Sequence, residues 1–162
     1  MDAARDRDEA GRAQNARPRD ALGRPLPRDA VGVPRIPDDL DVTPEQGLSA
    51  AQRLLDEGLA FNAHEVLEAV WKDAPPEHRE LWRGLAQLAV GITHVQRGNR
   101  AGARALLMRA SAAIAHGPAV HGIDVPGLVA YADALADDLS GDADIGQERL
   151  RPRLSGASGG HG

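Results

Sequence analysis

The 162-residue chain is long enough for one domain, and its lack of cysteine excludes disulfides, thiolate metal sites and cysteine nucleophiles. A formal net charge of −5 and an aromatic content of 2% argue against nucleic acid as a partner, which would need a basic surface and stacking side chains. No apolar run reaches the length of a membrane span and the first residues lack the apolar segment of a signal peptide, so we expect a cytoplasmic protein without membrane contact.

The N-terminal quarter of the chain carries no pattern of regular structure. Residues 1–40 mix charges of both signs with several prolines, so we predict a disordered or extended N-terminal arm. The first helix is predicted to start after Thr43, because this N-cap, Pro44 at the first helical position and Gln46 three residues after the cap form a capping box. Apolar residues at helical spacing follow, and Gly58 stands where the helix would end.

Two further helices are predicted before the middle of the chain. Asn62 followed by Glu65 has the pattern of a second capping box and predicts a helix that runs to about Asp73. The third helix, over about residues 76–97, is the longest and is predicted to be central, because apolar residues surround much of it. Its Gly84 and Gly91 lie seven residues apart on one stripe, where they would let another helix approach closely.

The remaining helices follow clear boundary signals. Gly98 and Asn99 mark a helix end and the next cap, and they predict a fourth helix over about residues 100–116. Asp124 is predicted to cap a fifth helix that ends near Leu139. Residues 140–162 are rich in Gly, Ser and Asp and are predicted to be a disordered tail. The sequence thus predicts an all-α fold, a small antiparallel bundle of about five helices over residues 41–139.

A histidine, two carboxylates and a tryptophan crowd together in the second predicted helix. Helical spacing places His64, Glu68 and Trp71 on one face, with Leu67 between them. An imidazole and a carboxylate one turn apart are suitable ligands for a divalent metal, so His64 and Glu68 are candidate metal ligands. Across the predicted hairpin, Gln87 of the third helix is expected about 3 Å along the axis from the level of His64.

Two metal-dependent classes fit this pattern poorly. Glu68 stands where a His-Glu-x-x-His zinc protease needs its second histidine, which excludes a metalloprotease. A di-metal carboxylate bundle uses Glu-x-x-His pairs on two helices, whereas the third helix offers only Gln87 and His94 as inward polar groups. His94 is expected about 13 Å beyond the level of His64, which disfavours a metal site made from these three side chains.

A purely structural interpretation of the same residues stays open. Glu65 is then the capping-box carboxylate of the second helix. His64 and Glu68 are then a hydrogen-bonded pair at the edge of the core, in which Glu68 keeps the imidazole charged.

Three linked motifs carry a resemblance to a known family: Phe61-Asn62-Ala63-His64-Glu65-Val66-Leu67-Glu68-x-x-Trp71, Arg83-Gly84-Leu85-Ala86-Gln87-Leu88-Ala89-Val90-Gly91-x-x-His94, and Arg97-Gly98-Asn99-x-x-Gly102-Ala103. Over roughly residues 48–139 the chain resembles the helical domain-of-unknown-function family 309. The resemblance implies a small all-α bundle of a kind widespread in bacteria, implies no reaction, and singles out six residues: His64, Glu65, Glu68, Trp71, Gln87 and His94. The family typically has histidine or a similar residue two positions before the His-Glu pair; Asn62 stands there, which removes one potential ligand.

The leading hypothesis is a polar pocket between the second and third helices that holds a small ligand or a divalent metal, with those six residues as its candidate binding residues. The alternative is a protein-interaction module, in which the cluster is structural and the alanine-rich helices bury against a partner or a second copy. A metal-dependent hydrolase ranks last, and enzymatic activity is left open. An exposed apolar stripe on the fourth or fifth helix would favour the interaction module; a concave pocket around His64 with a shifted pKa would favour the binding site.

Overall fold

A computed structural model describes residues 42–156, in which five α-helices follow one another and each packs against the next. They are α1 (Pro44–Asp56), α2 (Ala60–Asp73), α3 (Pro76–Gln96), α4 (Arg100–Ala115) and α5 (Val125–Leu139), followed by a short 3-10 helix (Gln147–Leu150). The predicted all-α bundle of five helices is confirmed. Over this range the chain forms no strand beyond an isolated bridge between Ile123 and Ser155, and no helix is long and apolar enough to cross a membrane. The predicted N-terminal arm, residues 1–40, lies outside the described residues.

Three of the predicted helix caps are confirmed by their hydrogen bonds. The Thr43 hydroxyl oxygen accepts from the Gln46 N–H at 3.1 Å, and the Gln46 side-chain oxygen accepts from the Thr43 N–H at 3.0 Å. Asn99 and Asp124 each accept from the backbone N–H three residues further on. These side chains satisfy backbone donors that would otherwise lack a partner at the helix start, and they fix where α1, α4 and α5 begin.

The predicted start of α2 is wrong. The helix begins at Ala60, has no side-chain cap, and contains Asn62 as an interior residue that is only 5% exposed. Ala60 and Ala63 are fully buried, and Gly58 takes a left-handed φ of 80° that turns the chain directly into the next helix. Burial of the alanine face therefore begins the helix earlier than the local capping pattern indicates, and Glu65 is not a capping residue.

The contact between α3 and α4 depends on the two glycines predicted to allow close approach. A β-carbon at Gly84 would lie 2.8 Å from the Ile114 Cγ1 atom and 3.1 Å from the Ile114 backbone nitrogen. A β-carbon at Gly91 would lie 3.1 Å from the Leu107 side chain. Because neither glycine carries a side chain, the α4 backbone packs directly on α3, and α3 is enclosed by α2 on one flank and α4 on the other.

The segment after α5 differs from the predicted tail, since residues 140–156 pack on the bundle. Leu150 and Leu154 are 4% and 1% exposed. The Gln52 amide of α1 holds the segment in place: its Nε2 donates to the Pro152 carbonyl oxygen at 2.9 Å, and its Oε1 accepts from the Leu154 N–H at 2.8 Å. The segment around these two leucines has no longer apolar repeat, so local periodicity does not predict that it packs on the bundle.

Gly84→Ala is expected to lower the free energy of unfolding by about 1–2 kcal/mol, because overlap with the α4 backbone outweighs the better helix propensity of alanine. Gly91→Ala is the matched control: it gains the same propensity, its new methyl group lies closest to the flexible Leu107 side chain, and the nearest backbone atom of α4, the Ala103 carbonyl oxygen, is at an ordinary contact distance of 3.6 Å. Urea unfolding followed by circular dichroism measures both variants. A Gly84→Ala protein at least as stable as Gly91→Ala would contradict the close approach at this glycine.

Candidate functional site

A concave pocket of about 250 Å³ lies over the outer face of α3, between α2 and α4. Most of the lining surface is apolar. It comes from four side chains: Trp71, Ala86, Val90 and Leu106. Four polar side chains share the lining with them: His64, Glu68, Arg83 and Gln87. The pocket is thus an apolar concavity with a few polar groups around it.

Helical spacing explains why these side chains meet. On α2, His64, Glu68 and Trp71 stand one turn apart along one face. On α3, Arg83, Gln87 and the half-buried Val90 form a second line at the same spacing, and the two lines face each other across the hairpin. The small Ala86 side chain leaves the space between them open.

The His64 ring is fixed by contacts at both nitrogens. Its Nδ1 lies 2.9 Å from the Phe61 carbonyl oxygen, and its Nε2 lies 3.6 Å from a Glu68 carboxylate oxygen. Because a carbonyl oxygen can only accept, Nδ1 carries a proton and donates to Phe61, which directs Nε2 towards Glu68. The His64 side chain is 16% exposed and that of Glu68 is 48% exposed, so the pair lies at the boundary between core and solvent.

His64 and Glu68 shift each other's pKa values. Burial by itself lowers the pKa of His64, but the close contact with the Glu68 carboxylate, the hydrogen bond to Phe61 and the negative charges of Glu68 and Glu65 together raise it above 6.5. The close contact with His64 lowers the pKa of Glu68 below its ordinary value, against the opposing effect of burial. Each partner therefore favours the charged form of the other.

The structure brings together four of the six predicted binding residues, His64, Glu68, Trp71 and Gln87. Glu65 lies about 100° around α2 from His64 and does not line the pocket, although its charge acts on the imidazole. His94 lies near the end of α3, also outside the lining, where its Nδ1 accepts a hydrogen bond from the Asn99 side-chain amide at 3.1 Å.

The predicted metal ligands, His64 and Glu68, are adjacent in the structure. Among the described residues, no group of three His, Asp or Glu side chains is arranged to hold a metal ion. Zinc sites in proteins use at least three protein ligands, so this pair supplies fewer donors than such a centre needs.

Four lining residues were not among the predicted binding residues: Arg83, Ala86, Val90 and Leu106. The place of Arg83 in the lining could have been predicted from the sequence, because Arg83 precedes Gln87 by one helical turn on the same face. Leu106 was not, because its place in the lining depends on how α4 crosses α3.

The sequence comparison with known protein families matches the part of the chain that contains the pocket. Residues 48–106 match the sequence model of the family described as domain of unknown function DUF309, which confirms the resemblance inferred from the three motifs. All eight residues that line the pocket fall within this range. A stretch of 48 residues is 48% identical to the uncharacterized protein YpuF of Bacillus subtilis (strain 168) and covers 29% of this chain and 28% of that relative. The match thus spans less than a third of the relative's length, and no solved structure matches the chain.

Glu68→Gln is expected to lower the pKa of His64, because it removes the negative charge that favours the imidazolium. Glu80→Gln is the matched control: Glu80 is an exposed carboxylate of α3 that pairs with Arg83 and does not contact His64. An NMR titration of the imidazole signals measures the pKa in each variant. Equal His64 pKa values in Glu68→Gln and the wild type would contradict the pairing.

The same pair predicts how the stability depends on pH. The pKa of His64 is raised above 6.5 in the folded chain, so its contribution is complete below pH 6.5 and is lost as pH rises through the folded pKa. The pKa of Glu68 is lowered below 4.5, so its contribution is complete above pH 4.5 and is lost as pH falls through the folded pKa. The stability difference between wild type and Glu68→Gln should therefore be largest between these two values. Urea unfolding at several pH values measures it, and a difference independent of pH would count against the assignment.

Proposed function

We propose that this chain, which contains a DUF309 region over residues 48–106, binds a small and largely apolar ligand in the pocket between α2 and α4. The observation that carries the proposal is an apolar concavity with convergent polar groups, among them a His64–Glu68 pair whose two pKa values are shifted. Small-molecule sites in proteins usually have this composition, and shifted pKa values cluster at functional sites.

The size of the pocket limits the ligand. A volume of about 250 Å³ lies just below the usual range of small-molecule sites, about 300–1,000 Å³, and it fits one or two fused rings or a short alkyl chain. The Trp71 ring offers a flat apolar wall against which such a group can stack. The ligand is therefore expected to be much smaller than a nucleotide cofactor.

The polar side chains supply orientation. The Gln87 amide offers both donors and an acceptor towards the ligand. Glu68 is only half-buried, and a carboxylate has more acceptor positions than the contact with His64 uses, so it can also accept from a hydroxyl or amine of the ligand. These groups select a ligand with at least one polar end.

The surface of the bundle gives less support to the interaction module. That alternative requires an exposed apolar stripe on α4 or α5. Across residues 42–156, Met108 of α4 is the one large hydrophobic side chain that is exposed, at 49% exposure. A single methionine is a small apolar surface, since isolated exposed hydrophobic residues are common on monomeric proteins.

A neutral, polarity-sensitive dye with two fused rings, 6-propionyl-2-(dimethylamino)naphthalene, tests whether the pocket binds such ligands. Wild type is expected to raise the dye's fluorescence to a saturable one-site limit. Ala86→Leu should weaken binding by about tenfold, because the larger side chain fills the space the dye would occupy. Ala105→Leu is the matched control, since this exposed alanine of α4 does not line the pocket.

Two results would contradict the proposal. One is the absence of saturable dye binding by the folded wild type. The other is equal weakening by Ala86→Leu and Ala105→Leu, which would place the dye elsewhere on the bundle. Circular dichroism of both variants shows whether each retains the helical fold, so that loss of binding is not mistaken for loss of structure.

A further inference from the structure

A second concavity of about 360 Å³ lies beside the pocket, between α3 and α4. Arg83 and Gln87 line both spaces, so the two are neighbours along α3. The second concavity, here called the basic groove, is otherwise lined by Glu80, Arg109, Ala112, Ala113 and His116. Its chemistry differs from that of the apolar pocket beside it.

Two guanidinium groups flank the basic groove from facing helices, Arg83 on α3 and Arg109 on α4. Arg83 pairs with Glu80 at 3.5 Å, and the two side chains are 58% and 55% exposed. An ion pair this exposed contributes little free energy, so an incoming anion can compete for Arg83 at small cost.

Arg109 is available to an anion as well. None of the ion pairs within residues 42–156 uses Arg109, and its side chain is exposed on α4. His116 lies two helical turns further along the same face and adds an imidazole to the lining. Glu80 is the only carboxylate in the lining, so arginine outnumbers acid in this groove although the whole chain has a net charge of −5.

From this arrangement we infer that the ligand is an amphiphilic anion. Its apolar body occupies the pocket against Trp71, and its carboxylate or phosphate head group binds Arg83 and Arg109 in the basic groove. Guanidinium groups bind both head groups through paired N–H donors, which makes arginine well suited to this role. The inference rests on the proposed function and names the ligand class of that same site.

Competition against the bound dye tests the inference with three probes that share an eight-carbon chain: octanoate, octyl phosphate and 1-octanol. In wild type, at least one of the two anions is expected to displace the dye at about tenfold lower concentration than 1-octanol, because charge-assisted hydrogen bonds add to the apolar contact. The more effective anion identifies the preferred head group. Added salt should reduce this advantage and leave 1-octanol nearly unaffected.

The double variant Arg83→Gln/Arg109→Gln is expected to bring the anions to within about twofold of 1-octanol while dye binding persists. Arg104→Gln is the matched control: it removes an exposed arginine of α4 that lines neither space, and it should retain the full anion advantage.

The possible failures are distinguishable. If the dye binds and 1-octanol competes as well as the anions in wild type, or if the anion advantage survives in the double variant, the inference is overturned and the proposed function stands. If the dye does not bind at all, the proposed function fails and the inference fails with it.

Discussion

The close approach of α3 and α4 at Gly84 is the constraint on which the rest of the bundle depends. A side chain there would meet the backbone of Ile114, so glycine is what lets α4 rest directly on α3. Because α4 covers one flank of α3 and α2 covers the other, α3 is exposed to solvent along one lengthwise strip. Core packing thereby decides which residues of the central helix remain available for binding: Arg83, Gln87 and Val90 lie on that strip.

The strip becomes the floor of a groove because the neighbouring helices rise on both sides of it. At one end the walls are apolar, with Trp71 from α2 and Leu106 from α4. At the other end Arg109 of α4 faces Arg83 across the groove. The His64–Glu68 pair stands at the α2 wall, at the boundary between core and solvent, where each residue shifts the pKa of the other towards its charged form. An apolar end beside a basic end is what an amphiphilic anion requires, and it arises from the spacing of residues on three helices.

The sequence predicts what local spacing determines. Apolar periodicity and capping side chains place all five helices, and one helical face unites His64 with Glu68, while the short α2–α3 turn sets Gln87 opposite them. Features that depend on tertiary packing were not predicted from the sequence. Asn62 has the pattern of a cap, yet the buried alanines around it begin α2 earlier. Leu150 docks without any periodicity around it, and the place of Arg109 in the basic groove follows from the α3–α4 crossing, which no local pattern reveals.

Amide NMR of the labelled chain, titrated in turn with octanoate and with octyl phosphate, shows whether the outer face of α3 is a binding site. Saturable shift changes are expected only in three stretches, residues 64–71, 80–90 and 106–116, which contain the lining of the pocket and of the basic groove. A separate cleft between α1 and the C-terminal segment, lined by Gln52 and Arg153 among others, shares no residue with the pocket or the basic groove and is the control surface. Shift changes concentrated at that cleft, or no saturable change anywhere, would contradict the account.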